Sequence, residues 1–115
     1  MNKADEIIPT SPQNKQKFLS MIGMCKKAGK LALGFDTSKQ KVYSGEASLL
    51  ITSVDLSPKT LKEVAYISGS MNVRHISFDV TMDEIAGIAR KKSGVICIMD
   101  EGFAKALCKL SGNSY

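Results

Sequence analysis

Two uninterrupted apolar runs constrain the fold of this chain more than any other feature. Residues 48–52 (SLLIT) and 95–99 (VICIM) are rich in β-branched side chains and do not alternate between polar and apolar positions. This pattern is typical of strands that are covered on both faces, because a strand with one solvated face alternates. Helices must therefore lie on both sides of the sheet. The sequence predicts an α/β fold, namely a three-layer α/β/α sandwich with a small central sheet of about four strands.

Strand and helix signals alternate along the rest of the chain. Further strands are predicted at residues 30–33 and 73–78, and helices are predicted where a capping residue precedes an apolar stripe. The predicted caps, in chain order, are Ser11, Asp36, Ser57, Thr81 and Asp100. The second helix carries only Val42 and Tyr43 as large apolar residues. Most of its surface is therefore expected to face solvent or a partner.

The length and composition indicate one domain. With 115 residues, the chain is long enough for a single core. Residues 12–112 are predicted to form this domain, and residues 1–11, which lack periodicity, are predicted to form a disordered N-terminal tail. The amino end is unlike a secretory signal, and the longest apolar runs are far short of the roughly 20 residues that span a bilayer. We expect a cytoplasmic protein without a membrane partner.

Positive charge is concentrated in the first third of the chain. Residues 12–46 hold seven lysines against two carboxylates, a local balance of +5, which equals the net charge of the whole protein. Residues 91–115 hold four lysines against two carboxylates and add a smaller basic region. This distribution favours a polyanionic partner that contacts two separate segments of the chain.

The sequence gives little support to catalysis, a metal or a cofactor. His75 is the only histidine and lies inside a predicted strand, and the three cysteines are widely spaced, without a C-x-x-C pair. Gly23, Gly29 and Lys30 do not fit a phosphate-binding loop. Five residues instead of four separate the two glycines, and Leu31 stands where the motif has Ser or Thr. We expect no enzyme and no cofactor. A small enzyme with a reactive thiol at Cys25 or Cys97 remains the least favoured alternative.

Residues 28–45 are the most informative segment for function. A glycine at position 34 allows close backbone approach, and the helix that follows it presents free N–H groups. Lysines at positions 30, 39 and 41 add positive charge. The segment is a plausible seat for an RNA backbone. From the residues alone, the favoured interpretation is an ordinary capped helix with solvated lysines.

Three motifs together resemble a known family. They are A-G-K-L-x-x-G at residues 28–34, V-x-x-G-x-A-x-L-L-I-x-x-x-D at residues 42–55, and M-D-E-G-F-A-K-A-L at residues 99–107. Over residues 17–110 the chain resembles the kink-turn-binding ribosomal protein family of L7Ae and L30e, and most closely its bacterial YlxQ-type members. This resemblance implies a non-catalytic α/β/α sandwich that docks the start of its second helix on a sharply bent RNA duplex containing tandem G·A pairs.

The resemblance also implies which residues contact RNA. The G-x-N-E segment of the family falls on residues 34–37, its following Thr-Lys pair falls on residues 39–40, and its second contact loop falls on residues 90–93. The predicted RNA-binding residues are Lys30, Gly34, Phe35, Asp36, Thr37, Lys39, Gln40, Lys41, Arg90, Lys91 and Lys92. The expected partners are ribosomal or other structured RNA, with ribosomal proteins as further partners of a ribonucleoprotein, and no small-molecule substrate.

Three positions depart from the family pattern. Asp36 stands where the family has an Asn that could donate to guanine O6, and a carboxylate can only accept hydrogen bonds and repels phosphates. Thr37 and Gln40 replace a Glu and a Lys. These departures leave one alternative open, a protein-interaction module that keeps the fold with weak or lost affinity for RNA.

Overall fold

The structure is a computed structural model that describes residues 9–112. Within this range, five helices and four strands alternate along the chain. Their bounds are α1 Pro12–Lys27, β1 Leu31–Leu33, α2 Phe35–Tyr43, β2 Leu49–Thr52, α3 Pro58–Met71, β3 Arg74–Ser77, α4 Met82–Ala89, β4 Val95–Ile98 and α5 Glu101–Leu110. The predicted alternation of strands and helices is confirmed.

The four strands form one mixed sheet in the order β1-β4-β2-β3. Strand β4 pairs antiparallel with both β1 and β2, and β2 pairs parallel with β3. Ile96 of β4 lies opposite Leu33 on one side and Ile51 on the other. The two central strands are the two apolar runs of the sequence, and all four positions of each are buried.

Helices cover both faces of this sheet. On one face, α1, α4 and α5 pack against alternate residues of the central strands, such as Ile51 and Ile96, and the Phe18 and Phe78 rings stack with their centroids 3.8 Å apart. On the other face, α2 and α3 contribute Val42, Val64 and Ile67, which pack against the intervening strand residues. Consecutive strand residues point to opposite faces. The predicted three-layer α/β/α sandwich is confirmed.

Four of the five predicted caps are confirmed. The side chains of Ser11, Ser57, Thr81 and Asp100 each accept a hydrogen bond from a first-turn N–H of the helix that follows, and Thr81 forms a complete capping box with Glu84. The predicted cap at Asp36 is wrong. Helix α2 begins at Phe35 with Gly34 as its N-cap, so Asp36 lies in its first turn.

The predicted disordered tail falls mostly outside the described residues, because residues 1–8 are not described. Of the described part, the N–H of Thr10 donates to a carboxylate oxygen of Asp79 at 3.1 Å, and Ser11 caps α1. The described part of the chain thus begins with the residues that lead directly into α1.

Candidate nucleic-acid interface

The start of α2 presents backbone donors without a capping side chain. Gly34 has φ 99° and ψ 153°, a conformation that essentially only glycine adopts, and its N–H donates to the carbonyl of Val95 at 2.9 Å. The first intrahelical bond runs from Ser38 to the Gly34 carbonyl. The N–H groups of Phe35, Asp36 and Thr37 donate to no acceptor among residues 9–112. Three adjacent donors are therefore available to an external anion.

The loop between α4 and β4 is fixed in position by its own hydrogen bonds. Arg90 ends α4 in the left-handed conformation, with φ 65°, and its N–H donates to Ala86. The hydroxyl of Ser93 is buried and bonds both the N–H and the carbonyl of Val95. At Gly94, a Cβ would lie 2.7 Å from Ser53 Oγ, so the chain passes too close to β2 for a larger residue. The loop thus reaches the start of α2 along a defined path.

Lys91 connects the two predicted contact segments. Its Nζ lies 3.8 Å from the position that a Cβ on Gly34 would occupy, although the two residues are far apart in sequence. Its ammonium group therefore lies close to Gly34, the N-cap residue that immediately precedes the three free N–H groups of α2. Because a positive charge and a helix N-terminus both attract anions, their electrostatic potentials add at this position. The arrangement is suited to holding a phosphate.

Phe35 and Lys39 extend this region along one face of α2. Phe35 is half-buried and packs against the apolar cluster under α2 and α3, and the Nζ of Lys39 lies 5.9 Å from the centroid of its ring. Asp36, Thr37 and Gln40 are exposed on the neighbouring face. Lys39 is exposed, and its ammonium group lies over the ring of Phe35, the first residue of α2.

Two predicted contacts, Lys30 and Lys41, lie away from this position. Lys41 is in the last turn of α2, and its Nζ pairs with Glu46 at 3.4 Å. Lys30 precedes β1, whereas Gly34 follows it. The pKa of Glu46 is lowered first by a hydrogen bond from Ser44 and then by Lys41, with a smaller contribution from Lys30. These lysines therefore form a second group, at the opposite end of β1 and α2.

The remaining predicted cations, Arg90 and Lys92, are the sequence neighbours of Lys91. Lys92 is exposed and pairs with Asp83 at 3.2 Å, and Arg90 is also exposed. Beside Arg90 the structure brings two lysines that were not predicted as contacts, Lys26 and Lys27 at the end of α1. The adjacent lysine pair in the sequence is the signal that could have indicated them. Their proximity to Arg90 could not be predicted, because it depends on how α1 packs on α4.

Comparison with known proteins identifies the family of this chain. The model of the ribosomal protein L7Ae/L30e/S12e/Gadd45 family matches residues 16–108. The chain belongs to this family. The predicted family is thereby confirmed, and the matched range includes the start of α2 and the whole loop between α4 and β4.

Individual relatives can be aligned with this chain over most of its length. An RNA-binding protein YlxQ from Enterococcus faecium is 29% identical over 94 residues, which are 80% of this chain and 88% of that protein. A structure of a protein with unknown function from Bacillus halodurans is 26% identical with a TM-score of 0.77, and covers 84% of this chain and 98% of its own. A 15.5 kD RNA binding protein from Giardia lamblia has a TM-score of 0.72 at 14% identity, covering 97% and 94% of the two chains, and shows the shared fold.

The thiols of this L7Ae/L30e family member are unsuited to nucleophilic chemistry. Burial raises the pKa of Cys25 to about 11 and that of Cys97 to about 12, so both are protonated near neutral pH. The side chains of both are fully buried. His75 Nε2 shares a hydrogen bond with the buried hydroxyl of Thr52 at 2.9 Å, inside the β2–β3 pair.

Residues 9–112 contain neither a metal-binding cluster nor a membrane-spanning helix. No group of three or more His, Cys, Asp or Glu side chains there could hold a metal ion. No helix in the same range is both long and apolar enough to cross a membrane.

Proposed function

We propose that this protein is a non-catalytic RNA-binding protein that holds an RNA backbone at the start of α2. The observation that carries the proposal is the position of Lys91 Nζ beside Gly34, next to the three free N–H groups of Phe35, Asp36 and Thr37. One phosphate accepts hydrogen bonds from the helix N-terminus and is neutralised by Lys91. Lys39 neutralises a neighbouring phosphate from the same side of α2.

Family membership supports RNA as the polyanion. The matched family is one of ribosomal proteins, and the relative from Enterococcus faecium is named an RNA-binding protein. We propose that the ligand is a structured, sharply bent RNA of the ribosome or of another cytoplasmic ribonucleoprotein, with tandem G·A pairs at the bend. The buried, unpaired thiols fit a reducing compartment such as the cytoplasm.

The division of the predicted lysines into two groups permits a test with a matched control. Each phosphate contact on duplex DNA contributes about 0.9 to the slope of log K against log salt, and we expect a similar value on duplex RNA. Lys91→Gln and Lys39→Gln should each lower the slope by about this amount for a bent RNA duplex with tandem G·A pairs. Lys41→Gln is the control, since Lys41 pairs with Glu46 at the other end of α2 and should leave the slope unchanged.

Two results would contradict the proposal. An unchanged slope in both Lys91→Gln and Lys39→Gln would remove the start of α2 as the contact surface. An equal decrease in all three variants would indicate diffuse attraction to the whole basic surface instead of a defined contact.

A second candidate function is favoured by one observation, the exposed carboxylate of Asp36 in the first turn of α2. A negative charge among the free N–H groups weakens the attraction for phosphate and would suit a protein partner with a basic side chain. Filter binding to folded RNA distinguishes the two. No measurable affinity, together with a cellular pull-down that survives nuclease treatment, would select the protein-interaction module.

A further inference from the structure

A short groove between α1 and α4 has an apolar floor that is open to solvent. The floor consists of Met24 and Ile88, whose exposed fractions are 53% and 38%. Both are large apolar residues in helices whose other large apolar side chains are mostly directed into the core. An exposed apolar pair of this kind, lying in a concave surface, is suited to contact a ligand.

The groove owes its shape to Gly23. A Cβ at this position would lie 3.3 Å from Cγ1 of Ile88, so the absence of a side chain lets α4 approach α1 and places Ile88 beside Met24. Ser20, one turn before Gly23 and Met24, continues the lining. The floor is therefore made by the contact between two helices and does not depend on a mobile loop.

The rim of the groove is basic. Lys26, Lys27 and Arg90 line it, and among residues 9–112 no acidic residue lines it. Lys26 is oriented by a hydrogen bond from its Nζ to the carbonyl of Ala89, whereas the side chains of Lys27 and Arg90 are exposed. An apolar floor with cations at its edge complements a base attached to a phosphate backbone.

The groove is continuous with the surface proposed above for RNA. Arg90, on its rim, immediately precedes Lys91, whose Nζ reaches Gly34. An RNA strand that passes Lys91 can therefore continue along Arg90 onto Lys27. This continuity favours RNA over a separate protein partner as the occupant.

We propose that this groove binds an unpaired nucleotide segment that continues from the RNA held at Gly34 and Lys91. A base packs on Met24 and Ile88, and the adjoining phosphates contact Lys27 and Arg90. The inference rests on the proposed function, because the duplex contact brings the single strand to the groove. It adds to that function a preference for RNA in which an unpaired segment adjoins the bend.

The experiment compares three RNAs: the blunt bent duplex, and the same duplex with a short oligouridine extension at either its 5′ or its 3′ end. The groove lies on one side of the duplex contact, so one extension should tighten binding and the other should not. Base stacking on aromatic side chains contributes about 1 to 3 kcal/mol, and packing on aliphatic side chains should lie at the lower end, which corresponds to about fivefold in Kd.

Two variants test the groove directly. Met24→Ala removes most of the floor and should abolish the gain from the extension, while the affinity for the blunt duplex stays unchanged. Lys27→Gln should lower the salt slope by about 0.7 on the extended RNA, the value for one single-strand contact, and leave the slope on the blunt duplex unchanged. Met71→Ala and Lys62→Gln, both exposed positions on α3 across the sheet, are the matched controls and should alter neither quantity.

The outcomes separate the two proposals. If neither extension tightens binding, or if the gain persists in both Met24→Ala and Lys27→Gln, the groove does not bind the single strand. If the wild-type protein fails to bind the blunt duplex, or if both Lys91→Gln and Lys39→Gln leave that binding unaltered, the proposed function itself is overturned. Gain on extension combined with sensitivity to both groove variants supports the inference.

Discussion

At the scale of single residues, Asp36 has two opposing effects. In the first turn of α2, its negative charge complements the helix dipole and favours folding of the helix. The same charge stands among the N–H groups that we propose to bind phosphate, where it repels the ligand. Asp36 therefore stabilises the free protein relative to the proposed RNA complex.

This conflict predicts that Asp36→Asn binds the bent RNA duplex more tightly. Removing one repulsive unit charge near the surface is worth about 1 kcal/mol, or about fivefold in Kd at low salt. The amide also adds a donor that a carboxylate lacks. Titration by fluorescence anisotropy at two salt concentrations measures the change. Glu63→Gln, an exposed substitution on α3 with the same change in net charge, is the control and should have little effect; an equal gain in both variants would show that only net charge matters.

Cys97 gives a residue-scale prediction about pH. Burial raises its pKa from 9.0 to about 12, so above pH 9 the unfolded chain loses this proton while the folded protein retains it. The unfolded state then binds fewer protons, and the free energy of unfolding must fall as pH rises, approaching about 1.4 kcal/mol per pH unit for this thiol. Well below pH 9 both states keep this proton, and the thiol contributes no pH dependence.

Urea denaturation at a series of pH values between about 8 and 10.5 tests this prediction. Cys97→Ala removes the titrating group and should give a shallower decline above pH 9 than the wild type. Val95→Ala, in the same buried strand, is the control, because it creates a cavity without removing a proton and should keep the wild-type pH slope. Identical slopes in all three proteins would mean that folding does not raise the pKa of Cys97.

At the scale of elements, the start of α2 depends on one backbone conformation. The φ of 99° and ψ of 153° at Gly34 allow the chain to leave β1 and enter the helix without a connecting loop. Gly34→Ala should therefore lower the free energy of unfolding by about 1 to 3 kcal/mol, the usual cost of such a conformation for a residue with a Cβ. Chemical denaturation measures the loss.

Gly69→Ala is the matched control for this prediction. Gly69 lies inside α3, its φ is not positive, and a Cβ there would meet nothing within 4 Å. Alanine is favoured over glycine in a helix interior by about 0.5 to 1 kcal/mol, so this variant should be slightly more stable than the wild type. A Gly34→Ala protein that is as stable as Gly69→Ala would show that the turn at Gly34 can relax.

The same element shows what the sequence could predict and what it could not. The side-chain caps at Ser11 and Thr81 were predictable, because a hydroxyl followed by helix-forming residues has one simple interpretation. The cap of α2 was not, because Asp36 is a better capping residue by type, whereas Gly34 acts through its φ and through a hydrogen bond to Val95. That bond joins two distant segments, and local propensity contains no information about it.

At the scale of the whole molecule, the sheet order determines the candidate interface. Strand β1 pairs with β4 across a large sequence separation, and this pairing brings the loop at residues 90–94 to the start of α2. The sequence indicated two basic segments and the residues within them. It could not indicate that Lys91 lies beside Gly34 while Lys41 pairs with Glu46 at the other end of α2, because both facts follow from the strand order and register.

The final prediction compares helix starts across the molecule. If RNA binds the N-terminus of α2, the N–H groups of Phe35, Asp36 and Thr37 should exchange more slowly with solvent in the complex, by about tenfold or more, since a hydrogen bond to a charged acceptor is worth about 1.5 to 3 kcal/mol. Solvent-exchange NMR of the free and RNA-bound protein measures this. Gln13 and Lys59 are the controls, because each occupies the equivalent exposed position in the first turn of α1 or α3. All helix N-termini attract anions through the same dipole, so only a defined contact can protect one of them alone. Equal protection at all three helix starts, or protection at Gln13 and Lys59 without protection at Phe35 to Thr37, would rule out the interface at α2.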